Sequence, residues 1–193
     1  MNAAMGAGPN WNLVITLALL AFFVFWAAGA KQRLMGLRNR IDRAFEPVQA
    51  QMAVRYEALM QWSVALLPLM DHDTQPLQVM QAALLQSKAA CDVAAGNPHL
   101  ARPIATLRLA EEALAAARQR LAAELPASLE RATPGGPGMG LALIQEELAN
   151  ADAALGFARQ QFNSAAQDYN DAVLQFPTWV IAGLFRFRVA GVL

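Results

Sequence analysis

The feature that most constrains this chain is an unbroken run of uncharged residues at 11–30, WNLVITLALLAFFVFWAAGA. As a helix rising about 1.5 Å per residue, the run matches the ~30 Å hydrocarbon core of a bilayer. Trp11 and Trp26 lie toward its two ends, where indole rings favour the headgroup region. The alternative is a cleaved signal peptide, but residues 1–10 lack the basic side chains that precede such a signal. The sequence therefore predicts a transmembrane helix at 11–30 and an extracytoplasmic segment at 1–10.

Basic residues are distributed unequally around this run. None precedes it, whereas five follow within thirteen residues: Lys31, Arg33, Arg38, Arg40 and Arg43. Because the basic flank of a membrane span stays in the cytoplasm, the pattern predicts an N-terminus outside and the rest of the chain in the cytoplasm. We expect these five side chains at the membrane interface, where a cation near anionic headgroups contributes about 1 kcal/mol. The alternative is that they act only as a stop-transfer signal.

Composition agrees with a chain that lies partly in lipid. Hydrophobic residues make up 56% of the sequence and charged residues 16%, against about 25% charged residues in ordinary soluble domains. The formal net charge is zero, which gives no support to nucleic-acid binding, because phosphate recognition needs a surplus of basic residues. The single cysteine, Cys91, cannot form a disulfide within the chain, so an oxidising compartment is not indicated.

After the apolar run, hydrophobic residues recur at helical spacing and no stretch alternates as a strand does. Pro47 is expected to kink the first helix or to cost about 3 kcal/mol locally. A turn at 71–74 and a loop rich in glycine and proline at 133–138 separate helical stretches. The third helix is expected to start at Pro103. The pattern predicts an all-α chain with helices at about 31–69, 76–95, 103–125 and 140–176.

The fourth helix has the most regular pattern. Large apolar residues recur every seven positions, at Leu141, Leu148, Leu155, Phe162, Tyr169 and Phe176. At an offset of three come Ile144 and then four alanines, and the alanines let a neighbouring helix approach closely. A strict seven-residue repeat is typical of shallow, left-handed packing. We therefore expect the transmembrane helix to continue into an antiparallel bundle of the four-helix type over 31–176.

Helix parity makes a prediction for the C-terminal segment, 177–193. If the first helix leaves the membrane and short loops connect antiparallel neighbours, the fourth helix ends back at the bilayer. The residues that follow are apolar and aromatic with two arginines, as in an interfacial helix. The candidates for contact with lipid are Trp179, Phe185, Arg186, Phe187 and Arg188. The alternative is that this segment packs on the bundle.

The sequence offers no constellation for chemistry. A carboxylate-bridged metal site in a bundle needs Glu-x-x-His pairs, but His72 and His99 both fall in predicted turns without such a glutamate. One cysteine is too few for a zinc site, and neither a nucleophile elbow nor a phosphate loop occurs. The adjacent pair Glu111 and Glu112 is taken as a solvated helix face. We therefore predict no catalytic, metal or cofactor site, and a protein that is not an enzyme.

Arg55 is the one charge that falls on the apolar stripe of the first helix. An unpaired charge there would be costly. We expect either an ion pair with Asp152, Asp168 or Glu146 from another helix, or a slight rotation that lets the guanidinium reach water. A structural pair is favoured over a functional site.

Two blocks of the sequence resemble the LemA family. The first is residues 37–45 (LRNRIDRAF), continuing through Gln51-Met52 and Arg55-Tyr56-Glu57. The second comprises LIQEEL at 143–148, FARQQFN at 157–163, DYNDAV at 168–173, Phe176-Pro177 and Gly183-Leu184-Phe185. The chain departs from the family at 59–61, where LMQ replaces Ile-Pro-Asn, and at Pro47.

The resemblance implies an extracytoplasmic N-terminus, an α-helical bundle, a place in the bacterial inner membrane and no catalytic activity. We therefore expect a single-pass membrane protein that acts as a scaffold through protein partners, itself included, and through lipid. The alternative is a regulatory subunit of a membrane protease or of a transport complex.

Overall fold

The computed structural model describes residues 10–70, 74–124 and 137–193, and these ranges contain helices and no strand. The predicted all-α class is confirmed. The helices are α1 Trp11–Leu66, α2 Gln75–Gly96, α3 Ala101–Glu124, α4 Pro137–Leu174 and α5 Thr178–Leu184, with a 3-10 turn at Leu67–Leu69. Residues 1–9, most of the predicted turn at 71–74 and most of the predicted loop at 133–138 lie outside the described residues.

The apolar run and the first helix of the bundle form one continuous helix, α1. Every residue from Trp11 to Phe25 is exposed. From Leu34 onward a single stripe is buried instead, so the helix changes from apolar all round to amphipathic shortly after the run ends. The helix passes through Pro47 without ending, and the buried side chains of Phe45 and Val48 on either side offset the local cost of the missing hydrogen bond.

Ion pairs define the directions of the long helices. Arg40 lies 2.9 Å from Asp168, and Arg55 lies 3.6 Å from Asp152. Residue numbers therefore rise along α1 as they fall along α4, so these two helices are antiparallel. Helix α1 packs mainly on α4 and α2 mainly on α3, with a further contact between α1 and α2. This is the antiparallel bundle that the sequence predicts. Helix α3 begins at Ala101, two residues before the predicted start, with Pro103 in its first turn.

The seven-residue repeat of α4 faces the core as expected, with one exception. Leu141, Leu148, Leu155, Phe162 and Tyr169 are buried, and so are the alanines that follow them by three or four positions. Phe162 meets Phe45 of α1 edge to face, with ring centroids 5.5 Å apart. The sixth position, Phe176, is exposed because α4 ends at Leu174 and the chain turns before reaching it.

Two asparagines of α4 hold residues 187–193, the last part of the C-terminal segment. The side chain of Asn170 accepts a hydrogen bond from the backbone N–H of Ala190 at 2.7 Å and donates one to the carbonyl of Ala190 at 3.1 Å. Asn163 makes the same pair of bonds with Leu193, both at 2.8 Å. On its other side, Gly191 lies against Ile104 of α3. Residues 187–193 therefore lie between α3 and α4.

Candidate membrane interface and buried polar layer

A layer of polar side chains crosses the bundle near its middle, with contributions from all four long helices. We call it the polar layer, and its members are Arg55 and Tyr56 of α1, Ser87 of α2, Glu111 of α3, and Asp152 and Arg159 of α4. Each of these positions lies on or beside the apolar stripe of its helix, so the fold brings the six side chains together.

Glu111 is the centre of the polar layer, and only 7% of its side chain is exposed. One carboxylate oxygen, Oε2, accepts a hydrogen bond from Arg55 and another from Arg159 at 2.7 Å. The other oxygen, Oε1, accepts from Ser87 and lies 3.1 Å from the Tyr56 hydroxyl. A buried carboxylate is stable only with such partners, because an unpaired charge away from water is strongly unfavourable.

The electrostatics of the polar layer follow from these contacts. Burial alone would raise the pKa of Glu111, but the Arg55 guanidinium, the Ser87 hydrogen bond and Arg159 together hold that pKa below its ordinary value of 4.5. The Tyr56 hydroxyl has the opposite shift, since burial and the Glu111 carboxylate both raise its pKa. Glu111 is therefore a carboxylate and Tyr56 a neutral phenol at neutral pH.

The same environment makes Cys91 a poor nucleophile. Burial, followed by the charges of Asp92 and Glu111, raises the pKa of the thiol to about 11. The reactive thiolate is therefore a minor species at neutral pH. No group of three histidine, cysteine or acidic side chains that could hold a metal ion occurs in the described part of the chain.

The outcome for Arg55 is partly as predicted. Its expected partner Asp152 lies at 3.6 Å, and Asp152 also accepts a bond from Arg118 at 2.7 Å. The closest partner, however, is Glu111. The view of Glu111 as a solvated residue was therefore wrong. The signal was present in the sequence, because Glu111 lies four residues after Leu107 and three before Leu114, on the apolar stripe of α3.

The five basic candidates after the apolar run divide into two groups. Lys31 and Arg33 are exposed at the end of the bundle nearest the run. Arg38, Arg40 and Arg43 lie further along α1 and are bonded within the chain.

Arg38 hydrogen-bonds the ring of His99, and Arg40 pairs with Asp168. Arg43 donates to the carbonyl of Asn39 at 3.3 Å. Each of these three arginines therefore has a partner within the chain, whereas Lys31 and Arg33 lie closer to the apolar run.

The candidates from the C-terminal segment also divide. Trp179, Phe185, Arg186 and Arg188 are exposed, whereas Phe187 is half-buried against the core. The Phe185 ring lies against Lys31, whose Nζ is 4.8 Å from the ring centroid. The structure therefore brings the start of the bundle and the end of α5 together, as helix parity predicts.

These features define a class. The chain is an all-α protein with one helix, among those described, that is long and apolar enough to cross a membrane. More narrowly, residues 140–192 match the model of the LemA family, which confirms the resemblance at its second block; the first block, at 37–57, lies outside the match. The match covers α4 from residue 140 onward, α5 and the residues that follow up to 192, and it includes Asn163 and Asn170. No curated protein and no solved structure matches the chain.

Proposed function

We propose that this chain is a single-pass protein of the bacterial inner membrane, with its N-terminus outside, that holds a helical bundle at the cytoplasmic face. There it acts as a non-enzymatic scaffold for protein partners, a second copy of the chain included. The observation that carries the proposal is the continuity of α1, Trp11–Leu66, from an exposed apolar stretch into the core of the bundle.

The exposed surface of α1 and the stiffness of a continuous helix both support the proposal. Every residue from 11 to 25 is exposed, and all of them except Asn12 and Thr16 are apolar. Exposed apolar surface is unfavourable in water at about 25 cal/mol per Å², but it suits lipid. Because the same helix supplies the core stripe of the bundle, no flexible linker separates the two parts. The direction of the bundle is therefore set by the span, which suits a scaffold that presents one surface at a defined height.

The polar layer supports a structural assignment for the buried charges. Glu111 accepts hydrogen bonds at both oxygens from within the chain, and burial keeps Cys91 protonated. A layer that needs all four helices at one level favours a single register of the bundle. We therefore infer that these side chains fix the alignment of the four helices and have no catalytic role.

The topology is tested by cysteine labelling in cells. Asn10→Cys and Glu124→Cys place thiols at two exposed positions, one before the span and one at the end of α3. A membrane-impermeant maleimide should label Asn10→Cys in spheroplasts, and Glu124→Cys only after lysis. The parent chain is the control, because its own Cys91 is buried. Labelling of both variants in intact spheroplasts would contradict the proposal.

The scaffold role is tested by crosslinking in native membranes, followed by identification of the partners by mass spectrometry. Crosslinks to a second copy and to several proteins are expected of a scaffold. A single enzyme recovered in stoichiometric amount would instead favour a regulatory subunit of a membrane protease or transport complex.

A further inference from the structure

Helix α5 and the turn before it carry a cluster of exposed apolar side chains. We call this cluster the apolar collar and define it as Phe176, Trp179, Val180, Leu184 and Phe185. Phe176, Leu184 and Trp179 are 77%, 70% and 55% exposed. The opposite face of α5 is buried, at Ile181 and Ala182. The helix is therefore held in place by one face while the other presents large apolar groups outward.

The position of the apolar collar is fixed by two independent contacts. First, Phe185 lies on Lys31, the residue that directly follows the apolar run. Second, the Arg40–Asp168 pair sets the register of α1 and α4. Both helices rise about 1.5 Å per residue, so the end of α4 at Leu174 lies opposite Leu34, roughly 6 Å from the last residue of the run. The collar therefore lies where α1 would leave a bilayer.

The charges next to the apolar collar are mostly basic. Lys31, Arg33, Arg186 and Arg188 are all exposed. No acidic residue occurs from 172 to 193, and the nearest on α4 is the exposed Asp171. Aromatic and aliphatic side chains next to cations are the combination that binds at a lipid interface, with the rings at headgroup depth and the cations on anionic lipid.

We propose that the apolar collar inserts into the cytoplasmic leaflet beside α1 and binds anionic phospholipid. The bundle is then attached to the membrane twice, through α1 and through the collar. The inference rests on the proposed function, because it needs the span in the same bilayer. The packing of Ile181 and Ala182 on the bundle and the contact of the collar with lipid are compatible, since they use opposite faces of α5.

The experiment uses tryptophan fluorescence of the full chain in nanodiscs made with brominated or ordinary phosphatidylcholine and phosphatidylglycerol. Trp62 is kept in every variant as an internal reference. It is buried on α1, 36 residues beyond Trp26 and thus about 54 Å further from the membrane. Three variants are compared, each with the remaining tryptophans changed to phenylalanine: one retains Trp62 alone, one Trp62 and Trp26, and one Trp62 and Trp179.

Bromine should leave the emission of the Trp62 variant unchanged and should reduce the emission of each two-tryptophan variant toward that of the Trp62 variant, because Trp26 and Trp179 would lie at the lipid interface. Quenching of the Trp26 variant without quenching of the Trp179 variant would overturn the collar and leave the proposed function standing. Absence of quenching in both would overturn the proposed function as well.

Charge variants test the lipid class. In the Trp179 variant, Arg186→Glu together with Arg188→Glu should reduce the bromine effect at least twofold in nanodiscs that contain phosphatidylglycerol. The matched control is Arg102→Glu with Arg120→Glu, two exposed arginines on α3, which should leave quenching unchanged. Equal quenching in both double variants would overturn the recognition of anionic lipid.

Discussion

Replacement of Glu111 by methionine should destabilise the protein more than any single change in its ion pairs, because it leaves Arg55 buried without its closest carboxylate. The Arg55 side chain is 11% exposed and its remaining acidic neighbour, Asp152, is 3.6 Å away and shared with Arg118. Removal of one partner from a buried pair costs about 3–5 kcal/mol. In a chain of this size about 1 kcal/mol shifts Tm by ~2–4 °C, so we expect Tm to fall by roughly 6–20 °C.

The reverse substitution should cost less. Arg55→Met leaves Glu111 with Arg159 at 2.7 Å and with the hydroxyls of Ser87 and Tyr56. We therefore expect a loss of about 2–3 kcal/mol, at or below the lower end of the range for buried pairs. The double variant, Arg55→Met with Glu111→Met, should recover part of the loss, since apolar groups of similar volume replace both charges.

The assay is thermal unfolding of the full chain in detergent, followed by circular dichroism at 222 nm. The control is the neighbouring surface pair, Arg108 and Glu112, which are 3.8 Å apart with side chains 51% and 64% exposed. Such pairs contribute little, so Glu112→Met should change stability by less than about 0.5 kcal/mol. Equal Tm shifts for Glu111→Met and Glu112→Met would refute the idea that burial of the polar layer decides its strength.

Three further predictions concern pH, thiol reactivity and the C-terminal segment. The pKa of Glu111 is lower in the folded chain than its ordinary value of 4.5, so the ionised carboxylate contributes its full stability above that value and loses it as the pH falls toward the folded pKa. The Tm of Glu111→Gln should therefore fall less than that of the parent between pH 6 and 3. The pKa of about 11 and the burial of Cys91 should make its reaction with a maleimide at pH 8 slower than in the urea-unfolded chain by at least tenfold, and equal rates would contradict this. A Cβ at Gly191 would lie 2.9 Å from that of Ile104, so Gly191→Ala should destabilise by about 1–3 kcal/mol in thermal unfolding. The control is Gly156→Ala, inside α4, where a Cβ would meet nothing within 4 Å beyond the local helix backbone. It should stabilise by up to about 1 kcal/mol, and shifts of the same sign for both variants would contradict the close approach at Gly191.

Much of the fold could be predicted because its signals are local. The apolar run and the repeat of α4 each report one helix face, and periodicity along a single helix is visible without knowledge of its neighbours. The same reasoning located Arg55 on the core stripe and found Asp152 among its partners. Glu111 was missed because the adjacent Glu112 made the pair look like a solvated surface, although its spacing from Leu107 and Leu114 places Glu111 on the apolar stripe of α3. Which partner Arg55 meets across the core depends on how α3 is rotated against α1, and periodicity along one helix does not report that rotation.

The C-terminal segment shows the same division. Its composition indicated an amphipathic piece of chain, and helix parity placed it at the end of the bundle nearest the apolar run. The hydrogen bonds of Asn170 with Ala190 and of Asn163 with Leu193 could not be predicted from local sequence patterns. They join side chains to backbone atoms 20 and 30 residues away.

The sequence by itself determined that this chain has one stretch suited to a bilayer and a helical bundle that follows it, because length, charge and helical period are properties of consecutive residues. The tertiary structure alone decided which charges are buried together and which apolar side chains stay exposed beside Lys31. Those outcomes depend on how four helices rotate and align, and that alignment is set by packing across the whole core.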